Sequence, residues 1–249
     1  MAYDSTAPFL AIHDWFIGTT AVSAGIPDDV RNLSVPFVFD NVESIEQMFR
    51  THPKTIAAVV LEVCRDKKPS SHFLNRLREL CDEHGTLLVF DEVVTAFRYS
   101  LSGVYSLLDA KPDLVSIGKG VANGYAISAL MGKRVYMERG GILHDQERVF
   151  FLSTTNGPEQ SALAAALHTI HFYRNNDVIG RLYQTGQRIA SAITDSAKSH
   201  GIADYLSTYG DFSCRPFLQF RGPDGAPSPS FRTLFLQETM RHGAFMPWI

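Results

Sequence analysis

The sequence predicts an α/β fold, a mostly parallel sheet flanked by helices, followed by a smaller, partial α+β piece. Three observations carry this. Short apolar runs of strand length alternate with longer segments of helical periodicity between residues 57 and 173. Strand, helix and strand follow each other closely enough to form a βαβ unit with parallel strands. After Gly201 the texture changes to short strands around a loop rich in glycine and proline.

The elements follow in order. Residues 57–62 (Ala-Ala-Val-Val-Leu-Glu) form a short apolar run and read as a buried strand. The stretch Lys67-Lys68-Pro69-Ser70-Ser71 breaks the chain, and Ser70 or Ser71 can cap a helix. In that helix Phe73, Leu74, Leu77, Leu80, Cys81 and His84 fall at three-and-four spacing, and Gly85 ends it. Residues 86–90 form the next strand, reached by a crossover expected to be right-handed. Residues 114–117 and 126–131 read as further strands. An alanine- and leucine-rich helix spans 159–173, and a longer one spans 178–200. Strands at 205–208 and 216–221 flank the loop, and a last helix covers 230–242. The expected division is a large domain over 1–175 and a small one over 176–249.

At 249 residues, with 45% hydrophobic and 20% charged content, the chain is long enough to bury a core and ordinary for a globular protein. A net charge of −3 leaves no basic footprint for nucleic acid. There is no basic amphipathic helix and no apolar run of membrane-spanning length. Residues 1–6 lack the pattern of a signal peptide. Cys64, Cys81 and Cys214 have no metal-type spacing and read as reduced, inert thiols of a cytoplasmic protein. His168 and His171 lie three apart on a helix without a third ligand, so no metal site is expected.

Two charged residues stand out by position. Asp91 closes the strand at 86–90, and Lys119 follows the strand at 114–117. In parallel sheets ligands bind beyond the carboxyl ends of the strands, where both residues fall. A lysine amine can form a Schiff base with an aldehyde cofactor, and a carboxylate can pair with a protonated pyridine nitrogen. Together they suit pyridoxal 5′-phosphate (PLP). A lysine in that role must be partly deprotonated, and burial favours the neutral amine. Gly118, Gly120 and Gly124 would let a ligand approach the backbone. The same residues could instead be a solvated lysine and a strand-end cap. Glu92 points away from Asp91 on a strand, which sets aside paired-carboxylate chemistry and suggests a structural role, such as a pair with Arg98.

The stretches Phe90-Asp91-Glu92-Val93-Val94-Thr95-Ala96-Phe97-Arg98, Lys111 to Gly132, and Ser153 to Leu167 resemble the signature segments of class III aminotransferases, which are fold-type I PLP enzymes. The likeness is greatest to the glutamate-1-semialdehyde 2,1-aminomutase-like branch. It implies a PLP-dependent aminotransferase or aminomutase that moves an amino group between amino and oxo compounds through a Schiff base on Lys119. Asp91 would hold the ring nitrogen, Val93 would pack on the ring, and Thr155 would contact the phosphate of a partner subunit's cofactor, hence a homodimer. Glu62 matches the family's strand-end glutamate, and because Val63 stands where the family usually has proline, its role stays open between substrate contact, gate and simple ion pair. Tyr125 is a further substrate candidate. Phe9 falls where an aromatic side chain stacks on the cofactor in the family. The family also has a Gly-Ser-rich phosphate loop upstream and further strand and helix downstream. The resemblance therefore implies a chain truncated at both ends. The alternative is a catalytically impaired remnant that binds PLP weakly or acts through a partner chain.

Overall fold

A computed structural model describes residues 2–4, 24–64, 66–141, 143–147 and 159–246. It divides the chain into two compact units, Met1–Asn175 and Asn176–Ile249.

The first unit holds a six-stranded sheet. Its strands are β1 (Ala2–Asp4), β2 (Val35–Phe37), β3 (Ala58–Leu61), β4 (Leu87–Asp91), β5 (Leu114–Ile117) and β6 (Ala129–Gly132), in the spatial order β2-β1-β3-β4-β5-β6. All pairings are parallel except β5 with β6. The helices are α1 (Asp28–Arg31), α2 (Val42–Thr51), α3 (Ser71–His84), α4 (Arg134–Met137) and α5 (Gln160–Asn175). This is the mostly parallel α/β architecture that the alternation of elements predicts.

Helix α3 shows why the local pattern was readable. The Ser70 hydroxyl accepts from the Phe73 N–H at its start. Its apolar face, Phe73, Leu74, Leu77, Leu80 and Cys81, is buried. Gly85 ends it at φ +68°, a left-handed conformation that an L side chain resists. Helix α2 follows the same logic, with Asn41 accepting from the Ser44 N–H and Ile45, Met48 and Phe49 buried. That helix was not anticipated from the sequence, nor were the two three-residue strands β1 and β2. Short strands carry too little periodicity to register, and Pro36 inside β2 argues against a strand.

Burial alternates along the central strands. Leu88 and Phe90 of β4 are buried, as are Val115 and Ile117 of β5, while Leu87, Val89 and Leu114 are half-buried. The apolar runs suggested strands covered on both faces; the structure covers one face fully and the other in part. Strand β6 is exposed along its whole length.

At the amino edge of the strands, Asp113 ties several elements together. Its carboxylate accepts from the Leu88 N–H at 2.8 Å and pairs with Arg78 of α3 at 2.9 Å and with Lys133, just after β6, at 2.6 Å. Burial alone would raise its pKa. The Leu88 N–H, Lys133 and Arg78 outweigh that and hold it below the usual carboxylate value. A carboxylate with a depressed folded pKa contributes stability that is present above about pH 3.9, its unfolded value, and lost as pH falls through the folded value. Asp113→Asn is therefore expected to lower the melting temperature at pH 7 and to flatten the loss of stability on acidification. Thermal unfolding of both forms between neutral and acid pH checks this; parallel profiles would refute it.

Cys81 lies on the buried face of α3. Burial, opposed by Arg78, pushes its thiol up to about 12, so it stays protonated and unreactive at neutral pH.

The second unit contains α6 (Val178–Ser199), the antiparallel pair β7 (Leu206–Tyr209) and β8 (Phe217–Phe220), and α7 (Pro229–Arg241). Asp177 caps α6 by accepting from the Gly180 N–H, and Ser228 caps α7 by accepting from the Phe231 N–H. Phe220 of β8 packs against Phe235 of α7, with ring centroids 5.3 Å apart.

Candidate active site

Asp91 is the last residue of β4, and Lys119 lies two positions beyond the end of β5. The two strands are parallel neighbours in the register Asp91↔Ser116. Both residues therefore emerge at the carboxyl edge of the sheet, side by side. The backbone just before Lys119 is packed against the segment just after Asp91: a Cβ on Gly118 would fall 3.3 Å from Val93 Cγ1. Val93 is half-buried there.

The Asp91 carboxylate is oriented by two donors on one oxygen. Oδ1 accepts from the Val93 N–H at 2.9 Å and from the Ser116 hydroxyl at 3.2 Å. Among the hydrogen bonds of the described residues, none falls on Oδ2, which leaves that oxygen to meet a ligand. Sequence reading missed Ser116. A lone hydroxyl in an apolar strand is a weak signal, and only the parallel register puts it beside Asp91.

Lys119 opens a single 3-10 turn, Lys119–Val121, at φ +44°. Left-handed backbone at a non-glycine residue costs roughly 1–3 kcal/mol and persists only where the surroundings hold it. Its side chain is exposed, so the described residues do not supply the burial expected of a reactive lysine. The cause is local: the turn buries Val121 and Ala122 inward, which directs the lysine outward.

Glu62 directly follows β3, at the same edge of the sheet, and is 7% exposed. Tyr125, just beyond the turn, is exposed. Thr155 and Phe9 lie outside the described residues.

Glu92 is wholly buried. Its carboxylate accepts from the Thr95 hydroxyl at 2.6 Å and from the Val104 and Tyr105 N–H groups at 2.7 and 2.8 Å. The Arg98 guanidinium donates to the Val94 carbonyl at 2.6 Å. Glu92 thus anchors the 103–105 turn beneath the site. Among the described residues, no group of histidine, cysteine, aspartate or glutamate side chains could hold a metal ion, and no helix is long and apolar enough to cross a membrane.

Residues 29–212 match the family model for class-III aminotransferases. The chain is 27% identical over 240 residues to a 3-aminobutyryl-CoA aminotransferase of Cloacimonas acidaminovorans, covering 94% of this chain and 55% of that protein. It is 33% identical over 190 residues to a glutamate-1-semialdehyde 2,1-aminomutase of Legionella pneumophila, covering 75% of this chain and 43% of that one. The chain thus spans about half the length of the curated relatives it matches. Among solved structures, the FumI protein of Sphingopyxis sp. MTA144 in its PLP internal aldimine form superposes with a TM-score of 0.82 at 25% identity, over 99% of this chain and 57% of that one. An omega-transaminase from Sphaerobacter thermophilus gives a TM-score of 0.80 at 20% identity, over 98% and 60%. On the match of its family model across most of its length, the chain belongs to the class-III aminotransferase family.

Proposed function

We propose that this chain carries the lysine and aspartate of a PLP-dependent enzyme that moves an amino group between an amino and an oxo compound, or transposes it within one molecule. The observation that supports this most is the placement of Asp91 and Lys119 side by side at the carboxyl edge of parallel strands β4 and β5. The residues fit PLP: one carboxylate oxygen is fixed by Val93 and Ser116 while the other is left for a ligand, and an exposed amine stands on the neighbouring strand end.

When bound, PLP supplies an aldehyde and a pyridine ring that draws electrons from the substrate carbon. Lys119 would anchor the cofactor's aldehyde through Nζ and, when its amine is free, would carry a proton to and from the substrate carbon. Asp91 Oδ2 would keep the ring nitrogen protonated, with the carboxylate oriented through Oδ1 by the Ser116 hydroxyl. Val93 would pack against the ring, and Thr155 would contact the phosphate of the partner subunit's cofactor. Glu62, buried at the same edge, is the candidate for a substrate contact or gate.

The active form is read as a cytoplasmic homodimer. The dimer has two supports, the match of Thr155 to a residue that reaches the partner's site in the family and the exposed apolar side chains Leu130 and Met131 on β6 and Leu163, Leu167 and Phe172 on α5.

The test loads the protein with PLP, offers a panel of amino donors, and measures pyridoxamine 5′-phosphate released on denaturation. Conversion by at least one donor is expected. Capture of PLP on Lys119 without conversion by any donor would favour the catalytically impaired remnant. Asp91→Asn is expected to keep the captured cofactor while donor-dependent conversion falls by roughly 10²-fold or more, because an amide cannot hold the ring proton as a carboxylate does. Unchanged conversion in that variant would remove Asp91 from the mechanism.

A further inference from the structure

We infer that Tyr173, near the carboxyl end of α5, is a positioning residue for Lys119 and acts through the left-handed backbone of Phe97. This rests on the reading of Lys119 above for its catalytic consequence, and on the following geometry for its existence.

Phe97 sits at φ +63°, a conformation that a bulky side chain avoids. Such a residue keeps its conformation only where neighbours over-determine it. Three contacts do so here. The Phe97 N–H donates to the Ser100 carbonyl at 3.0 Å. The Tyr173 hydroxyl donates to the Phe97 carbonyl at 3.1 Å, across 76 residues of sequence. The two rings also meet edge to face, with centroids 5.8 Å apart and planes at 78°. Burial raises the Tyr173 phenol above its ordinary pKa, opposed by Arg98, so the hydroxyl remains a protonated donor at neutral pH.

The other side of Phe97 meets the lysine turn. A Cβ on Gly120 would fall 3.0 Å from Phe97 Cβ and 3.5 Å from the Ala96 carbonyl oxygen. Glycine at 120 therefore lets the turn lie directly on the Phe97 backbone. Phe97, Val121, Ala122 and Ala166 share one buried cluster, with Tyr173 packed against it. Lys119 is itself left-handed, and its carbonyl accepts from the Ala122 N–H and, at 3.3 Å, from the Asn123 N–H. The order of contact is Tyr173, Phe97, Gly120 and then Lys119. Helix α5 also meets the lysine turn directly, since Ala166 shares that cluster with Val121 and Ala122, and Tyr173 adds the hydroxyl contact that fixes Phe97.

The test is Tyr173→Phe, which removes only the hydroxyl and keeps the ring. In the chain without cofactor, the amides of Phe97, Val121 and Asn123 are expected to exchange with deuterium about fivefold faster, the effect of losing one hydrogen bond, while β3 and β4 are unchanged. In the PLP-loaded protein, the pH midpoint of the absorbance change of the lysine-bound cofactor is expected to move. Acceleration confined to the Phe97 turn, acceleration spread evenly over the sheet, or no acceleration would each overturn the proposal. So would a loosened lysine turn with an unmoved pH midpoint. A protein that never captures PLP at Lys119 would defeat the proposed function instead, and the exchange pattern would still decide whether Tyr173 holds the turn.

Discussion

Borohydride reduction of the PLP-loaded protein is expected to leave one stable adduct, on Lys119, and Lys119→Ala is expected to abolish it. Two other lysines, Lys111 before β5 and Lys133 after β6, give the test its discrimination. Lys133 Nζ is engaged by Asp113 at 2.6 Å, at the amino edge of the sheet and therefore at the end opposite Asp91. Lys111 precedes β5 on that same side. Only Lys119 combines an exposed amine with a position beside Asp91. Amino transfer in Lys119→Ala should fall by on the order of 10²- to 10⁴-fold or more, the range for loss of a positioned proton carrier, to which loss of the covalent anchor adds. Lys119→Arg should not rescue, because guanidinium stays protonated and cannot attack an aldehyde. Weak binding through the phosphate should survive in both variants. Peptide mapping that places the adduct on Lys111 or Lys133 would overturn the site assignment.

Glu92→Ala is expected to cost about 3–5 kcal/mol of stability, among the largest effects of any single change in the first unit. The side chain is fully buried and satisfies three donors, the Thr95 hydroxyl and the Val104 and Tyr105 N–H groups. Truncation leaves all three without an acceptor and opens a cavity where the carboxylate stood. The fit is tight on the far side as well: Gly103 adopts φ +92°, and a Cβ there would lie 2.9 Å from Glu92 Oε1. Glu92→Gln should cost less, since its amide oxygen can still accept from one or two of the donors. Because Glu92 is covalently next to Asp91, both variants should also disturb PLP capture. Denaturant unfolding of the three proteins measures the effect. A loss below about 1 kcal/mol in Glu92→Ala would mean that water replaces the carboxylate and that the turn at 103–105 is anchored elsewhere.

The legible parts of the site and fold share one property: their signals are local. Lys119 and Asp91 stand at the ends of apolar runs, so strand periodicity and the rule for parallel sheets suffice to place them on one edge. The bounds of α3 follow from Ser70 and Gly85, whose side-chain chemistry acts within one turn. Strand β5 was read to the residue, and α6 to within one. Helix α2 was equally available, since Asn41 and the spacing of Ile45, Met48 and Phe49 follow the same rules.

What escaped sequence reading depends on register and long-range packing. Ser116 matters to Asp91 only because β4 and β5 pair at that position. The left-handed turn at Phe97 and its hydroxyl partner Tyr173 join residues far apart in sequence. A pairing with Arg98 suggested itself for Glu92 from proximity along the chain, whereas in the structure its buried carboxylate takes the 103–105 turn.

By itself, then, the sequence determined the class of fold, the order of its main elements from β3 onward, the family and the two residues proposed to carry the chemistry. Periodicity, caps and strand ends act over a few residues and are written locally. Tertiary structure alone decided which carboxylate oxygen is held, that Glu92 faces inward, that Lys119 is exposed and that one sheet face is only half covered. Each of these is a matter of which distant groups arrive at the same place and of what water is left to reach, and no run of neighbouring residues encodes it.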